Sequence, residues 1–324
     1  MANETVLVLS ADLADPDLKL LARLPAETNI AVGNSVEAFE RLAAEATVIL
    51  SWSKSGQLLR DVFAMCPKVR WVHSRSAGLD TVLFPELVEG AVPLTNGRGV
   101  FSQSLGEFAL AAILYFAKDL RRMVRNQMAG RWEPFDIVEV TGQTVGILGY
   151  GDIGRAVATR VRSMGMRVLA VKRRGPSLDQ VDPLVEQVYA PSERIEMIRQ
   201  SDYIVAAAPL TEDTRGLLGE QEFQAMKPNA VVINLGRGPV INEAAMVKAL
   251  TEGRIKGAGL DVFDTEPLPD GHPFYSLENV LLSPHCADHT ADWTHQAMLF
   301  FLTQFEKFSD GKALENVVEK RQGY

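Results

Sequence analysis

The stretch "TVGILGYGDIGRAVATRVRSMG", Thr144 to Gly165, decides the fold class. It places a G-x-G-x-x-G turn, formed by Gly149, Gly151 and Gly154, between an apolar strand and an amphipathic helix. The first glycine permits a tight turn, the second lets a pyrophosphate approach the backbone, and the third lets the helix pack on the strand. The pattern therefore predicts an α/β unit that binds a dinucleotide.

Short apolar strands alternate with helix-period segments on both sides of this turn. The first hundred residues contain the strand candidates "TVLVLS", "NIAVG", "ATVILS", "VRWVHS" and "VPLTN". From Thr144 onward the candidates are "TVGILG", "RVLAVK", "YIVAAA", "AVVINLG", "GAGLDVF" and "VLLSP". This alternation predicts two α/β domains, each with a doubly wound parallel sheet.

Composition narrows the class of protein. A chain of 324 residues with 47% hydrophobic residues is long enough for two domains. A net charge of −8 disfavours nucleic acid or an anionic membrane as partner and favours a small ligand. Two cysteines, Cys66 and Cys286, fit a reducing compartment, and the longest apolar run, "FALAAILYFA", is too short to span a bilayer. We expect a cytoplasmic protein without a metal site.

Two segments lie outside the strand series. "SQSLGEFALAAILYFAKDLRRMVRNQM", which begins at Ser102, is predicted as one long helix. Its apolar positions occupy most of the circumference, so we expect it to be buried, with a second subunit as one candidate partner. The tail from Thr290 to Tyr324 reads as a helix plus an extension, and the spacing leaves open which domain it packs on.

The three adjacent cations in "VLAVKRRG" bear on the identity of the dinucleotide. In such folds the second strand ends at the adenosine ribose, where an acidic residue bonds the two hydroxyls of NAD. This chain has Lys172, Arg173 and Arg174 there instead. Because cations pair with a 2′-phosphate that an acid would repel, they predict NADP as the preferred cofactor, with NAD as the alternative. A solvated basic loop is the other interpretation, and guanidinium geometry favours the two arginines for the phosphate contact.

The order of several motifs resembles a known family. They are "SAGLD" (Ser76 to Asp80), "GILGYGDIG", "APLTEDTRGLL", "VVINLGRGPVINEAAMVKAL", "GAGLDVFDTEPLP", "LLSPHCADHT" and "GKALENVV". The chain resembles the D-isomer-specific 2-hydroxyacid dehydrogenases, most closely their NADP-preferring glyoxylate and hydroxypyruvate reductases. The resemblance implies a Rossmann-type cofactor domain, residues 101–289, inserted into a flavodoxin-like substrate domain, residues 1–100 plus 290–324. It also implies a cleft between the domains, hinges near residues 100 and 288, and a homodimer.

Three residues fit the chemistry of 2-oxoacid reduction, which needs a hydride donor, a cation for the carboxylate and the polarised carbonyl, and an acid for the developing alkoxide. Arg237 in "NLGRG" can bind a carboxylate, and His285 in "SPHCAD" is suited to proton transfer near neutral pH. Glu266 in "DTEPLP" could hold the imidazolium. The alternatives are a surface arginine, a structural histidine and a solvated acid; the resemblance assigns His285 to acid-base catalysis.

The resemblance implies further contacts. Asp261 would contact the nicotinamide carboxamide, and the amides near Ala77 and Gly78 would bind the substrate carboxylate, together with Arg237 and His285. Other residues expected to line the cofactor are Asp152, Ile153, Pro209, Thr214, Leu235 and Gly236.

Several points stay open in the sequence. Trp52 could face the substrate or lie in the core. Asp288 stands where the family usually has a small residue, so it could favour a protonated His285 or a substrate with hydroxyl or cationic groups. The rival functions are phosphoglycerate, phosphite and formate dehydrogenases, of which the last have glutamine in place of Glu266. A redox-sensing corepressor that binds proteins on the same fold is a further rival.

Overall fold

The computed structural model describes residues 4–53, 55–173 and 182–323. The chain divides into two compact units. Unit 1 consists of Met1–Phe101 and Ala291–Tyr324, and unit 2 of Ser102–Thr290. Arg174, predicted to bind the cofactor, lies outside the described residues.

Helices flank the strands throughout the chain. Those in the described residues are α1 Glu40–Ala43, α2 Gly56–Ala64, α3 Pro85–Glu89, α4 Ser102–Ala117, α5 Leu120–Met128, α6 Asp152–Ser163, α7 Arg194–Gln200, α8 Glu220–Ala225, α9 Glu243–Thr251 and α10 Trp293–Ser309. Short 3₁₀ helices lie at Pro16–Arg23, Glu37–Phe39, Pro191–Glu193, Gly238–Val240, Pro273–Tyr275 and Lys320–Gln322.

Unit 1 contains one parallel sheet in the part of the chain that the structure describes. Its strands are β1 Thr5–Leu9, β2 Asn29–Gly33, β3 Val48–Ser51, β4 Trp71–Ser74 and β5 Leu94–Asn96. They lie in the order β2-β1-β3-β4-β5, which is the flavodoxin-like order. Because β1, β3 and β4 are buried along their whole length, their near-continuous apolar sequences are explained by helices on both faces.

The C-terminal tail completes unit 1. The ring of Phe301 in α10 stacks on that of Trp71 in β4, with 5.5 Å between their centres. Further along, the amide of Val318 donates to the carbonyl of Leu94 at 2.8 Å. The tail therefore packs on the domain built from the first hundred residues, a question that the sequence spacing had left open.

Unit 2 contains a second parallel sheet within the described residues. Its strands are β6 Thr144–Leu148, β7 Arg167–Val171, β8 Gln187–Tyr189, β9 Tyr203–Ala206, β10 Val231–Asn234, β11 Gly257–Leu260 and β12 Val280–Leu282. The order β12-β11-β10-β9-β6-β7-β8 is the Rossmann order with one strand added. The sequence did not indicate β8, because it has three residues and begins with an exposed glutamine.

The long helix predicted from Ser102 is wrong as a single element. It breaks between α4 and α5 at Asp119, which adopts a left-handed conformation with φ 48°. The Asp119 carboxylate accepts the amide of Arg122 at 3.3 Å and thereby caps α5. Aspartate tolerates this conformation better than most residues, so neither glycine nor proline was needed to mark the break.

The apolar residues of α4 are largely buried inside unit 2. This helix packs on α6, and the approach is close, since a side-chain carbon at Gly106 would lie 2.9 Å from the carbonyl oxygen of Ala156. The exposed apolar surface lies on α5 and the segment after it instead. Its members are Leu120, Met123, Val124, Met128, Trp132, Ile137 and Val138, of which Trp132 is 98% exposed.

Candidate functional site

The predicted site residues of unit 2 collect at one edge of its sheet. Gly149 follows β6, Lys172 follows β7, Arg237 comes shortly after β10, Asp261 follows β11 and His285 comes shortly after β12. Since all these strands are parallel, their carboxyl ends meet at the same edge. Ligands of open α/β sheets bind at this edge.

The glycine turn is built as a phosphate-binding turn requires. Gly149 has φ 92°, and a side-chain carbon there would lie 2.6 Å from the backbone of Ala208. A side-chain carbon at Gly154 would lie 2.8 Å from the carbonyl oxygen of Gly149. At Gly151, by contrast, it would have no described atom within 4 Å. The first and third glycines are thus needed by the fold, while the second leaves space that fits a pyrophosphate.

Two of the three predicted cations lie where the second strand ends. The amide of Lys172 donates to the carbonyl of Tyr189 at 3.1 Å, so the backbone stays in register with β8 up to this residue. The side chains of Lys172 and Arg173 are exposed. Their position is the one where a 2′-phosphate would lie on a bound dinucleotide.

The residues expected to line the cofactor fall into three groups. Asp152 and Ile153 begin α6, and Asp152 accepts the hydroxyl of Ser102 at 2.7 Å. Thr214 closes its own loop, because its hydroxyl donates to the carbonyl of Pro209 at 2.6 Å. The other two, Leu235 and Gly236, are buried after β10, and a side-chain carbon at Gly236 would lie 2.5 Å from the carbonyl oxygen of Ala208.

A buried asparagine shapes the turn that carries Arg237. The amide nitrogen of Asn234 donates to the carbonyl of Arg237 at 3.0 Å, and its amide oxygen accepts the N–H of Gly236 at 3.2 Å. Arg237 is half-buried, and its Nη1 donates to the carbonyl of Gly236 at 2.9 Å. Sequence reasoning missed Asn234, although a polar residue that ends an otherwise apolar strand is a usable signal.

Glu266 and His285 form a direct pair. Oε2 of Glu266 lies 2.6 Å from Nδ1 of His285, and Oε1 accepts the amide of Phe263 at 3.0 Å. About a third of each side chain is exposed, 34% for the glutamate and 29% for the histidine. A carboxylate in this position fixes the orientation of the ring through Nδ1 and leaves Nε2 as the nitrogen that could contact a ligand.

The turns that carry Arg237 and Glu266 touch each other. A side-chain carbon at Gly238 would lie 2.0 Å from the carbonyl carbon of Phe263. The backbone can approach this closely only because residue 238 is glycine. The contact sets the spacing between the turn with the guanidinium and the turn with the glutamate.

Asp261 organises the loop that carries His285. The carboxylate is buried, and its Oδ1 accepts the hydroxyl of Ser283 at 2.5 Å and the amides of Cys286 and Ala287 at 3.0 Å each. His285 has φ 51°, a left-handed conformation that costs about 1–2 kcal/mol for a residue with a side-chain carbon. The three bonds on either side of the histidine offset that cost.

In unit 1, the loop Ser76 to Asp80 is bonded through two of its carbonyls to Asn96, the last residue of β5, and to Gly97. The side chain of Asn96 donates to the carbonyl of Ala77 at 2.7 Å, and the amide of Gly97 donates to that of Ser76 at 3.3 Å. The carbonyls of Ser76 and Ala77 thus accept hydrogen bonds from the end of β5 and the residue after it. The amides of Ala77 and Gly78 make no hydrogen bond within the described part of the chain, so they are suited to an anion.

Burial answers the open question about Trp52, and for Asp288 the structure gives one charged neighbour. Trp52 is a core residue, 2% exposed, whose indole donates to Asp15 at 2.7 Å. The guanidinium of Arg75 lies 4.7 Å from the centre of the Trp52 ring and 5.0 Å from that of Trp293. The carboxylate of Asp288 lies 3.7 Å from Nε2 of His289.

The described residues offer neither a metal site nor a membrane-spanning helix. They contain no group of three or more His, Cys, Asp or Glu side chains placed to hold a metal ion. None of their helices combines the length and the apolar character needed to cross a membrane.

Comparison with known proteins gives consistent results. Residues 110–287 match the family described as "D-isomer specific 2-hydroxyacid dehydrogenase, NAD binding domain". The chain is 33% identical over 269 residues to the glyoxylate reductase of Korarchaeum cryptofilum (strain OPF8), covering 80% of this chain and 79% of that protein.

Two solved structures extend the likeness to the whole fold. One is a D-isomer specific 2-hydroxyacid dehydrogenase from Xanthobacter autotrophicus Py2 in complex with NADPH and MES, with TM-score 0.85, 29% identity and 100% coverage of both chains. The other is an NADPH-dependent glyoxylate/hydroxypyruvate reductase from Sinorhizobium meliloti in complex with NADP and sulfate. It has TM-score 0.85 and 25% identity and covers 99% of this chain and 100% of that one.

Proposed function

The chain belongs to the D-isomer specific 2-hydroxyacid dehydrogenase family, and on this premise we propose that it reduces small 2-oxoacids of the glyoxylate or hydroxypyruvate type, with NADPH preferred over NADH. It is an NAD(P)-dependent oxidoreductase of that family. The observation that carries the proposal is the 2.6 Å pair of Glu266 and His285 at the strand edge that also holds the glycine turn.

His285 is the proposed proton donor. When bound, the reduced nicotinamide supplies a hydride to the 2-oxo carbon. The protonated imidazole then gives its proton to the developing alkoxide, while Glu266 holds the ring through Nδ1 and stabilises its charge. With Nδ1 occupied by the glutamate, Nε2 is the nitrogen that transfers the proton.

Arg237 is the proposed anchor for the substrate carboxylate and the polarised carbonyl. A guanidinium can bind a carboxylate through two parallel hydrogen bonds, which orients the carbonyl as well as binding it. The Asn234 contacts hold the turn in place, so this orientation does not depend on a mobile loop. The amides of Ala77 and Gly78 are proposed to bind substrate through its carboxylate.

The cofactor preference rests on charge at the end of β7. Lys172 and Arg173 are exposed where an NAD-specific enzyme of this fold would place an acid. We propose that they pair with the 2′-phosphate of NADP, together with Arg174. Asp261 is proposed to contact the nicotinamide carboxamide, and the residues proposed to line the cofactor are Asp152, Ile153, Pro209, Thr214, Leu235 and Gly236.

A homodimer is proposed on the exposed apolar surface of α5 and the segment that follows. Its members Val124 and Met128 are 53% and 85% exposed, and Trp132 is almost fully exposed. Exposed apolar residues this close together in one segment are typical of an interface. The occupant we propose is the same surface of a second copy, because a two-fold interface is the commonest way to cover such a patch.

The proposed function is tested by assaying glyoxylate, hydroxypyruvate, pyruvate and bulkier 2-oxoacids with NADPH and NADH in parallel. We expect turnover of the small acids and a higher kcat/KM with NADPH. Activity with NADH alone would refute the cofactor preference. Absence of turnover with every acid would instead favour the corepressor alternative, and oxidation of phosphoglycerate, formate or phosphite would identify one of the other rivals.

A further inference from the structure

Two serines in the first turn of α4 make hydrogen bonds to segments far away in sequence. The hydroxyl of Ser102 donates to Oδ2 of Asp152 at 2.7 Å, in the glycine turn, across 50 positions. The hydroxyl of Ser104 donates to the carbonyl of Ala287 at 2.6 Å, in the His285 loop, across 183 positions. The start of one helix is thus bonded to the turn proposed to bind phosphate and to the loop proposed to transfer the proton.

The loop has a specific need for the second bond. His285 is in a left-handed conformation, and Asp261 holds the N–H groups of the two residues after it. These bonds restrain donors of the loop only. Ser104 donates to the carbonyl of Ala287. The residues after the histidine are therefore held both by their N–H groups, through Asp261, and by a carbonyl, through Ser104.

The helix that carries Ser104 is itself fixed. At Gly106 it packs so closely on α6 that a side-chain carbon would lie 2.9 Å from the backbone of Ala156. Ser102 adds a second attachment at the helix start. A hydroxyl on such a helix can therefore hold a loop at a defined distance rather than follow its movement.

We propose that Ser104 is a positioning residue for His285, which keeps the imidazole in the place from which it protonates the substrate. This inference rests on the proposed function, in which His285 is the proton donor. Ser104 has no proposed contact with substrate or cofactor. It acts through the carbonyl of Ala287 and the loop between that residue and the histidine.

The test compares Ser104→Ala with Ser104→Thr, which keeps the hydroxyl. We expect Ser104→Ala to lower kcat about tenfold, as for the loss of one hydrogen bond at a site where small displacements are costly. The KM for NADPH should stay within twofold, because Ser102 still holds the glycine turn. The solvent isotope effect on kcat should rise, since proton transfer is the step that is slowed. Ser104→Thr should restore most of kcat.

The matched control is Ser163→Ala. The Ser163 hydroxyl also donates to a backbone carbonyl at 2.6 Å, that of Arg160, but at the exposed end of α6. This variant should leave kcat, KM and the isotope effect unchanged. A kcat within twofold of wild type for Ser104→Ala, or a loss that threonine does not restore, would overturn the proposal.

A second readout needs no turnover. Diethyl pyrocarbonate modification of His285 in the protein without cofactor can be followed by peptide mass spectrometry, with His295 on α10 as internal reference. Ser104→Ala should raise the rate at His285 several-fold relative to His295. If the wild type turns over no oxoacid, the proposed function fails, and this ratio still decides whether Ser104 holds the loop. An unchanged ratio would refute the positioning role.

Discussion

Replacement of Gly151 by alanine separates the role of this glycine in the fold from its role toward the cofactor. Its φ of −106° lies outside the left-handed region that favours glycine, and the added carbon would meet no described atom within 4 Å. Gly151→Ala should therefore fold normally. Its thermal midpoint should be unchanged or slightly raised, because alanine restricts the unfolded chain. Since no described residue would meet the methyl, the group expected to meet it is the pyrophosphate of a bound dinucleotide.

The size of the effect follows from the bonds that the phosphate would lose. A hydrogen bond to a charged group contributes about 1.5–3 kcal/mol. A methyl group that prevents one such bond should raise the Kd for NADPH about 10- to 100-fold, at about 1.4 kcal/mol for each factor of ten. The kcat at saturating cofactor should change much less than the Kd.

The assay is titration of NADPH by its fluorescence, with thermal unfolding measured on the same samples. Gly219→Ala is the matched control, since Gly219 also precedes a helix, has φ −119° and leaves 3.5 Å to its nearest neighbour. It should leave the Kd unchanged. Gly154→Ala should lower the thermal midpoint, because its added carbon would lie 2.8 Å from a carbonyl oxygen. A Gly151→Ala protein that binds NADPH like the wild type would refute the assignment of this turn to the pyrophosphate.

Three further predictions concern other parts of the molecule. In Gly238→Ala the new side-chain carbon would lie 2.0 Å from the carbonyl carbon of Phe263, so the two turns must move apart. We expect kcat/KM to fall about 100-fold, and a fall of less than threefold would contradict the importance of this contact. Burial lowers the pKa of His73 to about 3, so the unfolded chain gains a proton below about pH 6.5 that the folded chain does not. Stability should then fall by up to about 1.4 kcal/mol per pH unit from pH 6.5 towards 3, and His73→Asn should flatten that slope in urea unfolding measured between pH 7.5 and 5. Met128→Glu places a charge on the exposed apolar surface, so light scattering should show monomers where the wild type shows dimers, and a mass that is the same for both would remove this surface as the interface.

Sequence patterns captured what depends on local order. The strands with apolar or β-branched runs were all predicted, and the glycine turn was placed correctly because three glycines at that spacing have few other uses. Strand β8 was not predicted, because three residues with an exposed first residue are too few to show a strand periodicity. The break between α4 and α5 was not predicted, because it is marked by the side-chain cap of Asp119 and not by a glycine or proline.

The parts of the site that the sequence did not reveal depend on contacts between distant segments. Glu266, His285 and Arg237 each follow a strand, so their convergence could be expected from parallel topology. Asn234 bonds backbone groups of the turn that follows it, Ser283 bonds the carboxylate of Asp261, and Ser104 bonds the carbonyl of Ala287. These partners are identified only once the chain is folded. Asn234 has a signal in the sequence, because it is the polar end of an apolar strand. For Ser283 and Ser104, nothing in the spacing indicates which loop each of them holds.

The return of the chain to unit 1 has a consequence for its synthesis on the ribosome. The sheet of residues 5–96 has the ring of Trp71 packed against α10, and β5 is bonded to Val318. During translation these early strands emerge long before the segment that covers them, whereas residues 102–290 become available as a complete set first. We therefore expect nascent chains to acquire protease-resistant structure in the middle of the sequence before the beginning, the reverse of the usual vectorial order.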